Sequence, residues 1–191
     1  MSNQETRVIV VGAGIGGLAA AICLRAAGLR VQVLEKTAEL NPVRVGLLLQ
    51  PNALSALQAM GLASDVVAAG LIVRRMIVRS PAGSTLIQKD LLELGGRVGA
   101  PAVAIDRDKL QRLLLERWGP EKLATAAYIA QIRETGRGVE VALDDGTRHQ
   151  ADALIGADGV HSQVRRQLWG QQSLNPAGYT CWRGVASDFP G

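Results

Sequence analysis

Aromatic side chains are scarce: among 191 residues there are six, Trp118, Tyr128, Trp169, Tyr179, Trp182 and Phe189. Proteins that grip single-stranded nucleic acid need aromatic faces in series, so that class is set aside. Cysteine is rarer still, with only Cys23 and Cys181, far apart in the sequence. Two such residues make no disulfide framework, and residues 1–7 carry no apolar signal region. The expectation is therefore free thiols in a reducing, cytoplasmic setting. Histidine occurs only at His149 and His161, each standing alone, so no metal-type spacing exists and no metal is expected. The longest uncharged apolar stretch, residues 8–24, is interrupted by Gly12, Gly14, Gly16 and Gly17. A membrane-spanning helix would need continuity there, so the stretch reads as strand, turn and helix, and no membrane partner is expected.

Charge is modest. Lys and Arg number 21 against 17 Asp and Glu, a formal net charge of +4. No basic run exceeds Arg74-Arg75 or Arg165-Arg166, which argues against a polybasic patch for nucleic acid or lipid. With 48% hydrophobic and 20% charged residues, the composition is that of an ordinary globular protein. At this length one core suffices, giving one large domain, or one domain plus a fragment.

The first third alternates strand and helix. Arg7-Val8-Ile9-Val10-Val11 is a continuous apolar run, as a central parallel strand buried on both faces requires. An Ala- and Leu-rich helix over about 15–27 follows, with Gly28 placed to end it. Val31-Gln32-Val33-Leu34-Glu35 is a second strand. Asn52 is positioned to cap a short helix bearing Leu54, Leu57 and Met60 and stopped by Gly61. In the middle, residues 72–79 and 85–88 read as strands joined at Pro81-Ala82-Gly83. Asp106 is expected to cap an amphipathic helix with Leu110, Leu113, Leu114 and Trp118 inward. Residues 138–143 alternate cleanly into the turn Asp144-Asp145-Gly146. Residues 153–157 read as a further buried strand, and a helix runs over about 162–168. This order predicts an α/β nucleotide-binding sheet carrying insertions.

Gly12-Ala13-Gly14-Ile15-Gly16-Gly17 matches G-x-G-x-x-G, with Gly12, Gly14 and Gly17 in the pattern positions and Ile15 between them. The competing reading is a tight turn without a ligand. The context favours a dinucleotide: a buried strand before, a helix after, and an acid, Glu35, ending the next strand. The helix N-terminus would face the two phosphates, and Glu35 would accept from a ribose, with Lys36 along the adenine edge. A carboxylate there repels a 2′-phosphate, which disfavours NADP at this site. NAD and FAD remain equally open on this segment.

The segment Asp152-Ala153-Leu154-Ile155-Gly156-Ala157-Asp158-Gly159-Val160-His161-Ser162-Gln163-Val164-Arg165 resembles the motif D-x-x-I-G-A-D-G-x-x-S-x-x-R. That motif belongs to class A flavoprotein monooxygenases, the para-hydroxybenzoate and salicylate hydroxylase group. Arg44-Val45-Gly46-Leu47-Leu48-Leu49-Gln50-Pro51-Asn52-Ala53 is similar to the family stretch that passes the flavin, where the commoner pattern has Gly and Ala at positions 44 and 45. Ile105-Asp106-Arg107-Asp108-Lys109-Leu110 resembles the family's h-R-x-x-L element, and Tyr179-Thr180-Cys181-Trp182-Arg183-Gly184 resembles the start of its substrate-domain sheet.

The resemblance implies a Rossmann-like FAD-binding sheet of glutathione reductase type, with inserted β-strands and the start of a substrate-domain sheet. It places the FAD-binding domain at 1–170, inserted strands at about 71–100, and the beginning of a substrate domain at 171–191. It implies FAD held by Gly12, Gly14, Ile15, Gly17, Glu35, Lys36, Arg44, Arg107, Asp158 and Gly159. NADH or NADPH would be the reductant, and O₂ would supply the oxygen passed to a small aromatic, phenolic substrate. No catalytic acid or base forms a recognisable dyad. The family's third signature, Gly-Asp followed by Ala-Ala-His, does not occur in the sequence. The chain therefore reads as the N-terminal part of such an enzyme, whether a truncated product, a fragment or one piece of a split protein, unable to sustain substrate-dependent turnover alone, and a second chain completing the fold is one candidate partner. Alternatives are a flavin-dependent reductase or halogenase, or a non-catalytic nucleotide-binding module.

Overall fold

Val8, Ile9, Val10 and Val11 are all buried, the condition of a strand bonded along both edges and covered on both faces. A computed structural model describes residues 5–40 and 45–182. Its elements run in chain order β1 (Arg7–Val11), α1 (Ile15–Ala26), β2 (Arg30–Leu34), β3 (Gly46–Leu49), α2 (Pro51–Ala59) and α3 (Ala63–Ala69). Then come β4 (Leu71–Ile72), β5 (Arg75–Arg79), β6 (Thr85–Asp90), α4 (Leu91–Val98), β7 (Val103–Asp106) and α5 (Arg107–Trp118). The rest comprises β8 (Leu123–Ala124), β9 (Ile129–Thr135), β10 (Gly138–Leu143), β11 (Arg148–Ala151), β12 (Ala153–Gly156) and α6 (Gln163–Trp169). The chain divides into two compact units, one holding the described residues of Met1–Asn41 and Leu114–Thr180, the other those of Pro42–Leu113 and Cys181–Gly191.

In the first unit the strands lie in the order β12-β1-β2-β8, all parallel. Parallel neighbours need a crossover, and α1 supplies it between β1 and β2. Leu18, Ala21 and Ile22 of α1 are buried. Its C-terminus closes in the two-bond pattern of a Schellman motif, Gly28 N–H to Arg25 O at 3.0 Å and Leu29 N–H to Leu24 O at 3.1 Å. A second, antiparallel sheet, β9-β10-β11, shares one core with the first. Ile9, Val11 and Leu34 meet Ile129, Val141, Leu143 and Ala151, with Val164 of α6 closing the cluster. Each large apolar side chain buried there stabilises the fold by roughly 1.5–3 kcal/mol.

In the second unit β3-β7-β4 form an antiparallel sheet and β5-β6 a hairpin. Leu54, Leu57, Val66, Leu91, Val103 and Ile105 are among its buried side chains.

Several expectations change. The strand read over 72–79 is two strands, because Ile72 pairs with Val103 of β7 whereas Arg75 to Arg79 pair with β6. Asn52 does not cap α2: the N-cap is Gln50, Pro51 takes the first helical position and no side chain caps the end. Asp106 keeps its expected place immediately before α5, where it also ends β7 opposite Gly46. Leu113 is half-buried, while Leu110, Leu114 and Trp118 are buried. β12, read as a buried strand, is an edge strand of the described sheet, and its Ala153 and Gly156 are exposed. Helix α4 fills the 91–98 stretch, capped by Asp90, whose carboxylate accepts from Leu92 N–H and Glu93 N–H.

Candidate functional site

Because β1, β2 and β12 are parallel and in register at Val11, Leu34 and Gly156, the residues following them share one end of the sheet. Gly12, Glu35 and the Ala157-Asp158 turn meet there, where open α/β sheets bind ligands. Gly12 N–H donates to Leu34 O at 2.7 Å and Ala157 N–H to Val11 O at 2.8 Å.

The three pattern glycines are not equivalent. Gly12 has φ +101°, and a Cβ on it would lie 2.5 Å from Ala157 O. A Cβ on Gly17 would overlap Gly12 O. The fold itself demands glycine at both positions. Gly14 has φ −68° and ψ 177°, a conformation open to any residue, and a Cβ there would meet nothing within 4 Å. The packing gives no reason for glycine at 14, so the space above it fits a ligand that approaches the backbone. Gly14 is also the N-cap of α1. It brings no capping side chain, and the first turn, beginning at Ile15, holds no acid. The positive end of a twelve-residue helix thus faces that space without a side-chain acceptor. Such an end fits the pyrophosphate of a dinucleotide.

Glu35 follows β2 directly and is 8% exposed. Its Oε2 accepts from Ala13 N–H at 2.7 Å, which ties the glycine loop to the second strand. Its Oε1 accepts from both the N–H and the Oγ1–H of Thr37, at 3.0 Å each. Thr37 was not evident in the sequence. Its signal is the hydroxyl two residues beyond an acid, a spacing that favours local side-chain bonds. Lys36 is exposed.

The Asp158 carboxylate serves the next helix. Oδ1 accepts from Ser162 Oγ–H at 2.6 Å, and Oδ2 from Gln163 N–H at 2.6 Å and Val164 N–H at 3.2 Å. Ser162 Oγ in turn accepts from Arg165 N–H at 2.9 Å, and the Arg165 guanidinium donates to Val160 O at 2.6 Å. Three of the motif's polar residues, Asp158, Ser162 and Arg165, therefore hold the turn through Gly159, whose φ is +81°. A Cβ on Gly12 would lie 3.0 Å from Asp158 Cα, so turn and loop stand side by side.

Arg107 opens α5 in the other unit, its N–H donating to Val45 O at 2.9 Å. Arg44 lies outside the described residues, as do Arg183 and Gly184 of the 179–184 motif. In the same helix Asp108 is held below the usual carboxylate range, chiefly by a hydrogen bond from Arg112. Among the described residues no helix is long and apolar enough to cross a membrane.

Known proteins are similar to this chain. Phenazine 1,6-dicarboxylic acid hydroxylase PhzS of Lysobacter antibioticus is 37% identical over 193 residues, 95% of this chain and 47% of its own length. The aurachin C monooxygenase/isomerase of Stigmatella aurantiaca is 36% identical over 178 residues, 93% of this chain and 46% of that protein. The Klebsiella pneumoniae HpxO structure complexed with FAD and uric acid superposes with a TM-score of 0.75 at 31% identity, over 87% of this chain and 42% of that one. The chain thus spans less than half the length of the curated relatives it matches. A family described as FAD binding domain matches residues 5–181. That match runs through both the glycine loop and the Asp158 turn, and the chain belongs to the FAD binding domain family.

Proposed function

We propose that this chain is the FAD-binding portion of a flavoprotein monooxygenase that hydroxylates a small aromatic molecule, using NADH or NADPH and O₂. The observation that carries the reading is Gly14: a glycine the packing does not need, beneath open space, at the bare N-terminus of α1. Amides of the first turn, from Ile15 onward, bind the pyrophosphate of FAD. Gly12 and Gly17 set the loop close enough to the sheet for that contact. Glu35 accepts from the adenosine ribose, and Lys36 lies along the adenine edge. Arg107 and Arg44 supply guanidinium groups to the phosphates, a geometry arginine suits. Asp158 acts through the turn it braces, presenting the backbone at Gly159 to the cofactor. When bound, FAD supplies the redox chemistry that lets NADH or NADPH and O₂ be used; the protein binds, orients and excludes water.

The aromatic substrate class is supported by relatives named for phenazine and urate hydroxylation. The test is to load the complete enzyme of which this chain is proposed to be the FAD-binding portion with FAD, supply NADH or NADPH with a panel of phenolic and heteroaromatic acids, and identify products by mass spectrometry. Hydroxylated product matching the NAD(P)H consumed supports the monooxygenase reading. Reduced or halide-containing product would replace it with a reductase or a halogenase.

A further inference from the structure

Glu35 has little spare hydrogen-bonding capacity. A carboxylate offers about four acceptor positions, two on each oxygen. Oε1 takes the backbone and the hydroxyl of Thr37, and Oε2 takes Ala13 N–H. Only Oε2 retains an acceptor position, beside the loop amide. The group cannot swing to expose more. Glu35 is buried, its N–H donates to Ala124 O at 2.8 Å, and its carbonyl accepts from Ala127 N–H at 2.9 Å. The turn after it is also held by its backbone, Ala126 N–H donating to Thr37 O at 3.2 Å. The Thr37 hydroxyl is thus not needed to place the chain. Its visible work is to fill Oε1.

We propose that Thr37 is a positioning residue that closes Oε1 of Glu35, so that the site takes a single ribose hydroxyl, on Oε2, rather than both. The inference rests on the reading of Glu35 as the ribose acceptor for FAD. Removing the hydroxyl without changing shape, in Thr37→Val, opens an acceptor position on Oε1 and lets the carboxylate engage the second hydroxyl. Thr37→Ser keeps the donor and keeps the restriction.

The experiment is calorimetric titration of ADP, 2′-deoxy-ADP and 3′-deoxy-ADP into the wild-type chain and into Thr37→Val, Thr37→Ser and Glu35→Ala, with the unfolding midpoint of each. In the wild type, one deoxy analogue binds about tenfold more weakly than ADP, the size of one charge-assisted hydrogen bond, and the other binds as ADP does. Thr37→Val narrows the contrast between the two analogues by at least about threefold, and Thr37→Ser restores it. Equal weakening of both analogues in the wild type, or an unchanged contrast in Thr37→Val, overturns the proposal. The Glu35 reading then stands, provided Glu35→Ala erases the preference for ADP. If wild type and Glu35→Ala both bind all three ligands alike, the ribose reading itself falls and the proposal falls with it.

Discussion

The Cα of Gly17 faces the carbonyl oxygen of Gly12 so closely that a Cβ on Gly17 would overlap it. This contact lets α1 begin immediately above the end of β1. Gly17→Ala must push the helix off the sheet, costing on the order of 3 kcal/mol or more. Gly12→Ala meets Ala157 O at 2.5 Å and adds the strain of a positive φ, a further 1–3 kcal/mol, roughly. Gly14→Ala stays within about 1 kcal/mol of wild type, since a poorer N-cap offsets a less flexible unfolded chain. Urea unfolding of the three variants checks the order. A Gly14→Ala cost as large as that of Gly17→Ala would show that position 14 is structural.

The Asp158–Ser162 pair is predicted to behave as one unit. Ser162→Ala removes the donor to Asp158 and the acceptor for Arg165 N–H, a loss of about 1 kcal/mol. Asp158→Ala removes the acceptor for Gln163 and Val164 N–H as well, a loss of about 1–2 kcal/mol. Because the two share a bond, the double variant should cost clearly less than the sum. Strict additivity in a double-mutant cycle would contradict the network.

Arg25 clasps the end of α5. Its guanidinium lies 4.5 Å from the centroid of the Trp118 ring and donates to Trp118 O at 2.6 Å and Arg117 O at 2.8 Å. Carbonyls at a helix C-terminus favour a cation. Arg25→Ala is expected to cost about 2 kcal/mol, from charge-assisted bonds and the ring contact together. Arg25→Lys should recover less than half, since an ammonium cannot fork to two carbonyls while stacking. Chemical denaturation of both variants measures the difference.

Stability should fall in acid through three carboxyls. Asp108 is lowered chiefly by the hydrogen bond from Arg112, Glu140 by those from Gln150 and Arg148, and Asp145 by the backbone N–H of Thr147. A carboxyl whose folded pKa is depressed binds protons less readily folded than unfolded. Its contribution is complete above the unfolded value, near 3.8 for Asp and 4.5 for Glu, and is lost as pH falls through the folded value. Unfolding midpoints should thus be flat just above pH 5, roughly, and decline below it. Arg148→Ala should flatten that decline; an identical acid limb would remove Glu140 from the explanation.

The glycine loop, its flanking strand and helix, and Glu35 were legible because local propensity, burial and turn chemistry agree there. The β10-β11 hairpin was legible for the same reason. β9 was not. Ile129 and Ile132, three apart, fall on opposite faces of a regular strand, yet both pack into one core because the register shifts where Leu143 meets Ile129. Helix α4 was hidden by Gly95-Gly96, poor helix formers. Yet a Cβ on Gly95 would meet Ala100 O at 2.9 Å, so tertiary packing chose that glycine. At the site, the motif located Asp158 but not the direction of its carboxylate, which is spent on α6. Thr37 stayed hidden because its partner, Oε1 of Glu35, is set by side-chain geometry rather than by any pattern in the chain.

On the proposed reading, Gly14 is glycine for the sake of a bound dinucleotide and not for the fold. The direct measurement is titration of FAD into the wild-type chain and Gly14→Val, followed by flavin fluorescence, with the thermal unfolding midpoint of each apo protein recorded alongside. The expected result is FAD binding by the wild type and a loss of at least about tenfold in affinity for Gly14→Val, at an essentially unchanged midpoint. Equal FAD affinity in the two proteins would contradict it.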